Sequence, residues 1–344
     1  MITASYSNIV RKSILSRVGE DYPFVFQAGY SDFLRKRLKS NLIFIISECD
    51  RILIPVRIYK IKIFSFAQIL HPPLKEFRRL AKEEEGDFLN RLAMFMKKNR
   101  LCQRIVQPPN YAIFRSFPEG SRHCRFATYS LDLQNCSEEE LFMRLKNRTE
   151  IRNAINKGIT VEWGQLQLPV FYELYQQTMK RANMSCEPFS FFEDFYACLG
   201  EGMVICAVSY HKGSAQGALF MPYTKYGAYY LYGASAGHIS VNGAVDYAHW
   251  QAIKLLKKKG VRRYDFVGAR LSDISGTRLE GIQHFKAKFG CELEEGYLWK
   301  MDFSRFYTAL FDSLVRVKLT IKRQSVPRDL IEQELMALKT KNEG

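Results

Sequence analysis

The feature that most restricts how this 344-residue chain can fold is that one series of elements occurs in it twice. Val204–Tyr210, Ala218–Pro222 and Tyr229–Gly233 read as three short apolar strands, followed by a helix over Val245–Lys259 and a strand over Arg263–Val267. A polar loop (Gly268–Glu280), a short helix holding Phe285 and Lys286, and a last strand at Gly296–Phe303 complete the series. The same order stands earlier as Leu42–Ser47, Arg51–Tyr59, Ile63–Leu70, the helix Gly86–Lys98, and the strands Arg104–Gln107 and Phe126–Leu133. The offset is about 160 residues, the mark of a two-domain pseudo-repeat. The copies differ between their last two strands. Copy one has Pro108–Arg125, opened by two prolines, whereas copy two has Gly268–Lys288, with Ser272, Asp273, Ser275 and Thr277 in its loop. Counted from Val267 to the strand at Gly296, copy two is longer there by roughly ten residues, and polar loop insertions collect function because they vary without disturbing a core. The plain alternative is a variable surface loop. The expectation is a site in copy two.

Length and composition agree with two compact domains, and 47% hydrophobic residues suffice for two cores. No apolar run approaches the roughly 20 residues needed to span a bilayer. Met1–Arg17 mixes Ser, Arg and Lys without an apolar core, so no export signal is expected and the chain reads as cytoplasmic. Eight cysteines form no C-x-x-C pair and mostly sit in apolar segments, which predicts reduced core residues rather than disulfides or zinc ligands. No metal-ligand spacing appears, and no Ser/Cys–His–Asp arrangement can be argued.

A net charge of +16 favours a polyanionic partner: RNA, an anionic membrane face or a phosphate-bearing ligand. The excess is clustered, at Arg35-Lys36-Arg37, at Lys97-Lys98 with Arg100, and at Lys257-Lys258-Lys259 with Arg262-Arg263. Solvated basic helix faces are the alternative, and no RNA-recognition signature is present.

The repeat divides the chain at 1–155, 156–305 and a basic C-terminal segment, 306–344. An entry segment around Val10–Arg17 precedes a helix at Ser31–Leu38. Ser137 followed by Glu140 is a capping-box pattern opening a charged helix over Ser137–Asn156. Ile159–Trp163 is a strand, Phe171–Arg181 and Phe189–Leu199 are helices, and Tyr307–Arg323 repeats apolar residues at helical spacing. Val326-Pro327 interrupts it before a second amphipathic helix, Arg328–Lys339.

Antiparallel strands with a central helix and a late strand pair fit an acyltransferase fold of the GNAT type, an α+β class, here in tandem. The ordered set Tyr229-Tyr230-Leu231-Tyr232-Gly233-Ala234-Ser235, Lys258-Lys259-Gly260, Tyr264-Asp265-Phe266-Val267-Gly268 and Gly281-Ile282-x-x-Phe285-Lys286-x-x-Phe289-Gly290 resembles the Fem family (FemABX). The junction Arg152-Asn153-Ala154-x-x-Lys157-Gly158 resembles that family too. The resemblance implies two GNAT-like domains that transfer an amino acid from aminoacyl-tRNA to an amine of a peptidoglycan precursor, without a cofactor. The basic charge would allow this acceptor, a cell-envelope precursor, to be met at the anionic inner face of the membrane.

An acetyl-CoA enzyme cradles pyrophosphate on a Gly-rich turn at the N-terminus of its central helix. Here that turn reads His238-Ile239-Ser240-Val241-Asn242-Gly243-Ala244 in copy two and Leu80-Ala81-Lys82-Glu83-Glu84-Glu85-Gly86 in copy one, neither of the usual kind. A thioester-dependent N-acyltransferase of envelope polysaccharide or lipid synthesis is the alternative. An aminoacyl ester is already activated, so catalysis would rest on proximity and oxyanion stabilisation. The resemblance implies Lys286 for the latter, with Phe285 beside it. Tyr230 and Tyr232 would face substrate and Arg181 would hold the peptidyl-nucleotide. Core aromatics and a solvated arginine are the other readings. Asp265 would orient the amine or cap the turn. Two precursor-recognition positions depart from the family: Gln107-Pro108 stands for Asp-Pro, and the N-terminal lysine appears as Arg35 or is displaced to Lys36.

Overall fold

The computed structural model describes residues 2–5, 19–47, 49–322, 324 and 328–343, so Val10–Arg17 and Val326-Pro327 lie outside the described residues. Copy one comprises β1 (Ile2–Ser5), α1 (Ala28–Leu38), β2 (Asn41–Ser47), β3 (Ile52–Ile61), β4 (Phe64–Ile69), the short β5 (Leu74–Lys75) and β6 (Arg78–Arg79), α2 (Lys82–Lys98), β7 (Arg104–Val106) and β8 (Arg122–Asp132). Two helices, α3 (Glu138–Arg144) and α4 (Arg148–Asn156), link it to copy two: β9 (Thr160–Trp163), α5 (Leu168–Arg181), α6 (Phe189–Leu199), β10 (Val204–His211), β11 (Ser214–Pro222), β12 (Ala228–Tyr229), β13 (Tyr232–Ser235), α7 (Ala244–Lys258), β14 (Arg263–Asp265), α8 (Arg278–Ala287) and β15 (Glu292–Asp302). Helices α9 (Arg305–Ile321) and α10 (Leu330–Glu343) follow. None of the described helices is long and apolar enough to cross a membrane.

The strands run β1-β2-β3-β4-β7-β15-β8-β14-β12 in one sheet and β13-β11-β10-β9 in a second. From β4 to β12 this order is symmetric about the β15–β8 pair. β7 and β14 are the matching central strands, each parallel to its preceding strand: Ala67 opposite Ile105, and Ala228 opposite Tyr264. The last strands are exchanged. β15 of copy two lies along β7 of copy one, and β8 of copy one lies along β14 of copy two. Nine registered residue pairs, from Glu292–Ser130 to Lys300–Arg122, then join β15 to β8. The pseudo-repeat is thus symmetric and interlocked, and main-chain hydrogen bonds cross the sequence division at 155. This is an α+β fold of two tandem GNAT-like units.

Hydrophobic burial follows the same plan. On α2, Phe88, Leu89, Leu92 and Met96 recur at helical spacing and pack on the copy-one sheet; Ala252, Ile253 and Leu256 of α7 do so in copy two. Between the copies lies an aromatic cluster that includes Phe24, Phe26 and Phe33 with Phe192, Phe195 and Tyr229. Each such ring removed from water contributes about 1.5–3 kcal/mol, so the interface between copies is itself core. Cys102, Cys124, Cys136 and Cys206 are buried thiols, whereas Cys49 and Cys186 are exposed.

Two elements differ from the sequence reading. The charged helix expected over Ser137–Asn156 is broken at Leu145–Asn147, where Leu145 is extended and buried. The capping box on Ser137 and Glu140 is present. The strand expected over Tyr229–Gly233 is split: β12 pairs with β14, β13 with β11, and the chain between belongs to neither sheet. Its counterpart β4 is unbroken and pairs with β3 and β7 at once. Copy two is opened where copy one is closed.

Candidate active site

The split leaves a cleft of about 450 Å³, lined by residues that include Thr178 of α5, Tyr230, Gly233 and Ser235, the turn Asn242–Asp246 at the start of α7, and Phe285 of α8. Gly233 is required there, because a Cβ would overlap the Tyr230 hydroxyl. Gly243 is required for two reasons: its φ is +92°, and a Cβ would overlap the Glu150 carbonyl of α4. Asn153 Nδ2 donates to the Asn242 carbonyl at 2.9 Å, so the junction helix holds the lip of the cleft. Thr178 Oγ1 accepts from Ser235 N at 3.0 Å, tying α5 to β13.

Arg181, at the end of α5, donates to the Ser235 carbonyl at 2.6 Å and to its Oγ at 3.1 Å. It is exposed beside the cleft with donors to spare. Tyr230 stands edge-on to the buried His249, 4.5 Å between ring centres, and burial pushes its phenol well up. Phe285 packs on His249 at 5.3 Å. Burial lowers His249 to about 3, so it is neutral; its Nδ1 meets the Tyr264 hydroxyl at 2.6 Å and its Nε2 has no partner.

Lys286, next to the cleft-lining Phe285, is buried and is not itself among the lining residues. Its ammonium donates to the carbonyls of Val267 and of Gly268, the latter at 2.7 Å. Both residues have positive φ, +56° and +70°, and for a β-branched valine that is a strained conformation. The bend is over-determined. Val267 N donates to Asp265 Oδ1 at 2.8 Å, and Asp265 is itself held by Thr128 Oγ1 at 2.5 Å and Arg263 at 2.7 Å. Burial lowers Lys286 to about 8, with Asp265 pulling the other way. At neutral pH the ammonium keeps its proton, and two of its three donors are used.

The structure therefore brings Tyr230, Phe285 and Arg181 to the cleft, and couples Lys286 to Asp265 through the Val267 peptide. It separates two other candidates. Tyr232 points into the aromatic core, edge-on to Tyr175 at 5.9 Å and Phe192 at 5.0 Å. Arg35 is exposed on α1, paired with Asp32 at 2.6 Å, and is not among the residues lining the cleft. Strand alternation could have separated Tyr232 from Tyr230 only if the split had been foreseen. Thr178 carried no signal of its own.

Two expectations about charge and acceptor recognition also change. Lys257 donates to the carbonyls of Leu133 and Cys136, and Arg262 pairs with Asp21 and covers the Phe77 ring at 5.3 Å. Two members of the Lys257–Arg263 basic cluster are thus engaged within the chain. Gln107, where the family resemblance would place a carboxylate, accepts from Ile331 N at 3.0 Å and so anchors α10.

These features define a class: a tandem GNAT-like acyltransferase fold with one opened and one closed copy. The FemAB family matches residues 119–213, from the loop before β8 through β10. The fold is shared with FemX at a TM-score of 0.65 and 14% identity, over 87% of this chain and 96% of that one. It is shared also with L-PGS from Bacillus licheniformis (0.52, 14%, 92% and 97%). The C-terminal domain of a putative lysylphosphatidylglycerol synthetase from Agrobacterium fabrum gives 0.51 at 17% identity, over 90% and 97%. No curated protein sequence matches the chain.

Proposed function

We propose that this protein moves an amino acid from aminoacyl-tRNA to an amine of a peptidoglycan precursor, with the reaction in the copy-two cleft. The observation that carries the reading is the split between β12 and β13, which opens the copy-two cleft, whereas the matching β4 of copy one is unbroken and paired on both sides. The FemAB match supports the aminoacyl and peptidoglycan parts. In the proposed reaction the acceptor amine attacks the ester carbonyl, a C–N bond forms, and the tetrahedral oxyanion collapses with loss of the ribose oxygen. The proton leaving the amine ends on that oxygen. With substrate bound, the third N–H of Lys286 would be drawn to the oxyanion from the bend that Asp265 holds. Arg181 would hold phosphate of the acceptor nucleotide.

The thioester alternative has one observation behind it: the cleft wall is a helix N-terminus, where backbone N–H groups favour anions. Against it stands Asp246, a carboxylate in the first turn of α7 fixed by Asn147 Nδ2 at 2.5 Å. A pyrophosphate would meet that charge. The deciding experiment incubates the protein with pooled aminoacyl-tRNAs or pooled acyl-CoA thioesters and pooled envelope precursors, with products read by mass spectrometry. Aminoacylated precursor from tRNA alone supports the reading; acylation from thioesters alone overturns it.

A further inference from the structure

Helix α9 has an apolar side too many. One face packs on copy one: Phe311 lies 5.1 and 4.9 Å from the rings of Phe64 and Phe66, and Asp312 pairs with Arg104 at 2.8 Å. On the opposite face Phe306, Leu310, Leu314, Val317 and Ile321 recur at steps of four, four, three and four, a single helical stripe. They are 73%, 38%, 52%, 58% and 77% exposed. None of the described residues covers them. Beside the stripe stand Arg305, Arg316, Lys318 and Lys322, all exposed, while the helix's one acid, Asp312, is occupied by Arg104.

A second element presents the same chemistry next to it. The turn between β3 and β4 carries Lys60, Ile61, Lys62 and Ile63, all exposed, Ile63 by 69%. Phe64, which follows that turn, is the residue in ring contact with Phe311, so turn and helix are neighbours. The α9 stripe is a contiguous apolar surface, and such a surface marks an interaction site rather than a random exposure.

We propose that the outer face of α9 and the β3–β4 turn dock on an anionic lipid bilayer, with the aliphatic and aromatic side chains at the acyl boundary and the lysines and arginines among the headgroups. An apolar stripe bordered by basic residues is how an interfacial helix binds, and each basic residue near an anionic surface adds its own attraction. Charge selects this occupant over a second copy of the chain. A symmetric contact through this face would set the basic borders of two +16 molecules against each other, with no acid on the face free to offset them. Nor does α10 supply a cover, because it is fastened elsewhere by Arg270–Glu334 and Lys300–Glu332 pairs. The inference goes beyond the proposed reaction, to which it adds only a location.

The full chain, without donor or acceptor, is sedimented with vesicles of phosphatidylcholine alone or with phosphatidylglycerol added. Failure here leaves the transfer reading standing. Binding is expected to the mixed vesicles and to weaken with salt. Leu310→Ser with Leu314→Ser should reduce it by about tenfold or more at an unchanged melting temperature, since both positions are exposed. Arg316→Gln and Lys318→Gln should each reduce it about fivefold. No binding to mixed vesicles overturns the proposal, as does equal binding by the double-serine variant. A stable dimer dissolved by those serines would assign the face to a second copy instead.

Discussion

Lys286 concentrates what can be tested at the scale of a residue. Its two carbonyl partners sit on a bend that Val267 adopts at a cost, so its removal acts on structure and chemistry together. Lys286→Met should lower single-turnover transfer by about 10²–10³. It should also lower unfolding free energy by about 1–3 kcal/mol, because two carbonyls lose their donor. The sequence reading, which placed this lysine on a short helix, gave no reason to expect that second effect. The pH dependence follows from its depressed value of about 8. As pH rises through that value the ammonium is lost, so the rate should fall above about pH 8, and that descending limb should be missing in Lys286→Met. Stability moves the other way. Between about 8 and the ordinary value of 10.5 the unfolded chain binds more protons, so the unfolding free energy contributed by this group rises across that window. Urea titrations at several pH values check the sign.

At the scale of an element, the split strand is the point that separates the copies, and it was not legible in advance. Tyr229–Gly233 has the alternation and aromatics of a continuous strand, and nothing in those residues says that β12 and β13 join different sheets. What decides is tertiary: α7 presses on β11, where a Cβ on Gly217 would meet Val245, and α4 presses on α7 at Gly243. By contrast the helices α2 and α7 were legible to within a few residues, because apolar spacing and long amphipathic runs are local signals. The junction helix is accordingly predicted to shape the cleft. Gly243→Ala should destabilise the protein by about 1–3 kcal/mol, as a strained φ and a clash with Glu150 combine. Asn153→Ala, which removes only the bond to Asn242, should leave the melting temperature within a few degrees and raise KM. Thermal melts and initial rates separate the two.

For the whole molecule, order along the chain announced the repeat, but pairing across it did not. A period read from sequence gives the succession of strands, while the exchange of β8 and β15 joins residues about 130 and about 200 positions apart and has no local signature. Its consequence is cooperativity. β7 of copy one pairs on one side with β15, so a fragment of residues 1–155 has an unpaired central strand and is expected not to fold. The full chain should unfold in one transition, with coincident curves from far-ultraviolet circular dichroism and from fluorescence of Trp250 and Trp299, which report on different copies' cores. Two separated transitions would argue for independent domains.

The claim that acyl transfer takes place in the opened copy is tested most directly by filling each copy's cavity in turn. Ser235 lines the copy-two cleft, and Lys82 lines the cavity at the start of α2 in copy one. Transfer of a labelled amino acid from aminoacyl-tRNA to precursor should fall by about 10²-fold or more in Ser235→Trp, which occupies the place of the reacting groups, and should stay near wild type in Lys82→Trp. Full activity in a folded Ser235→Trp protein, with loss in Lys82→Trp, would place the chemistry in copy one and contradict the account.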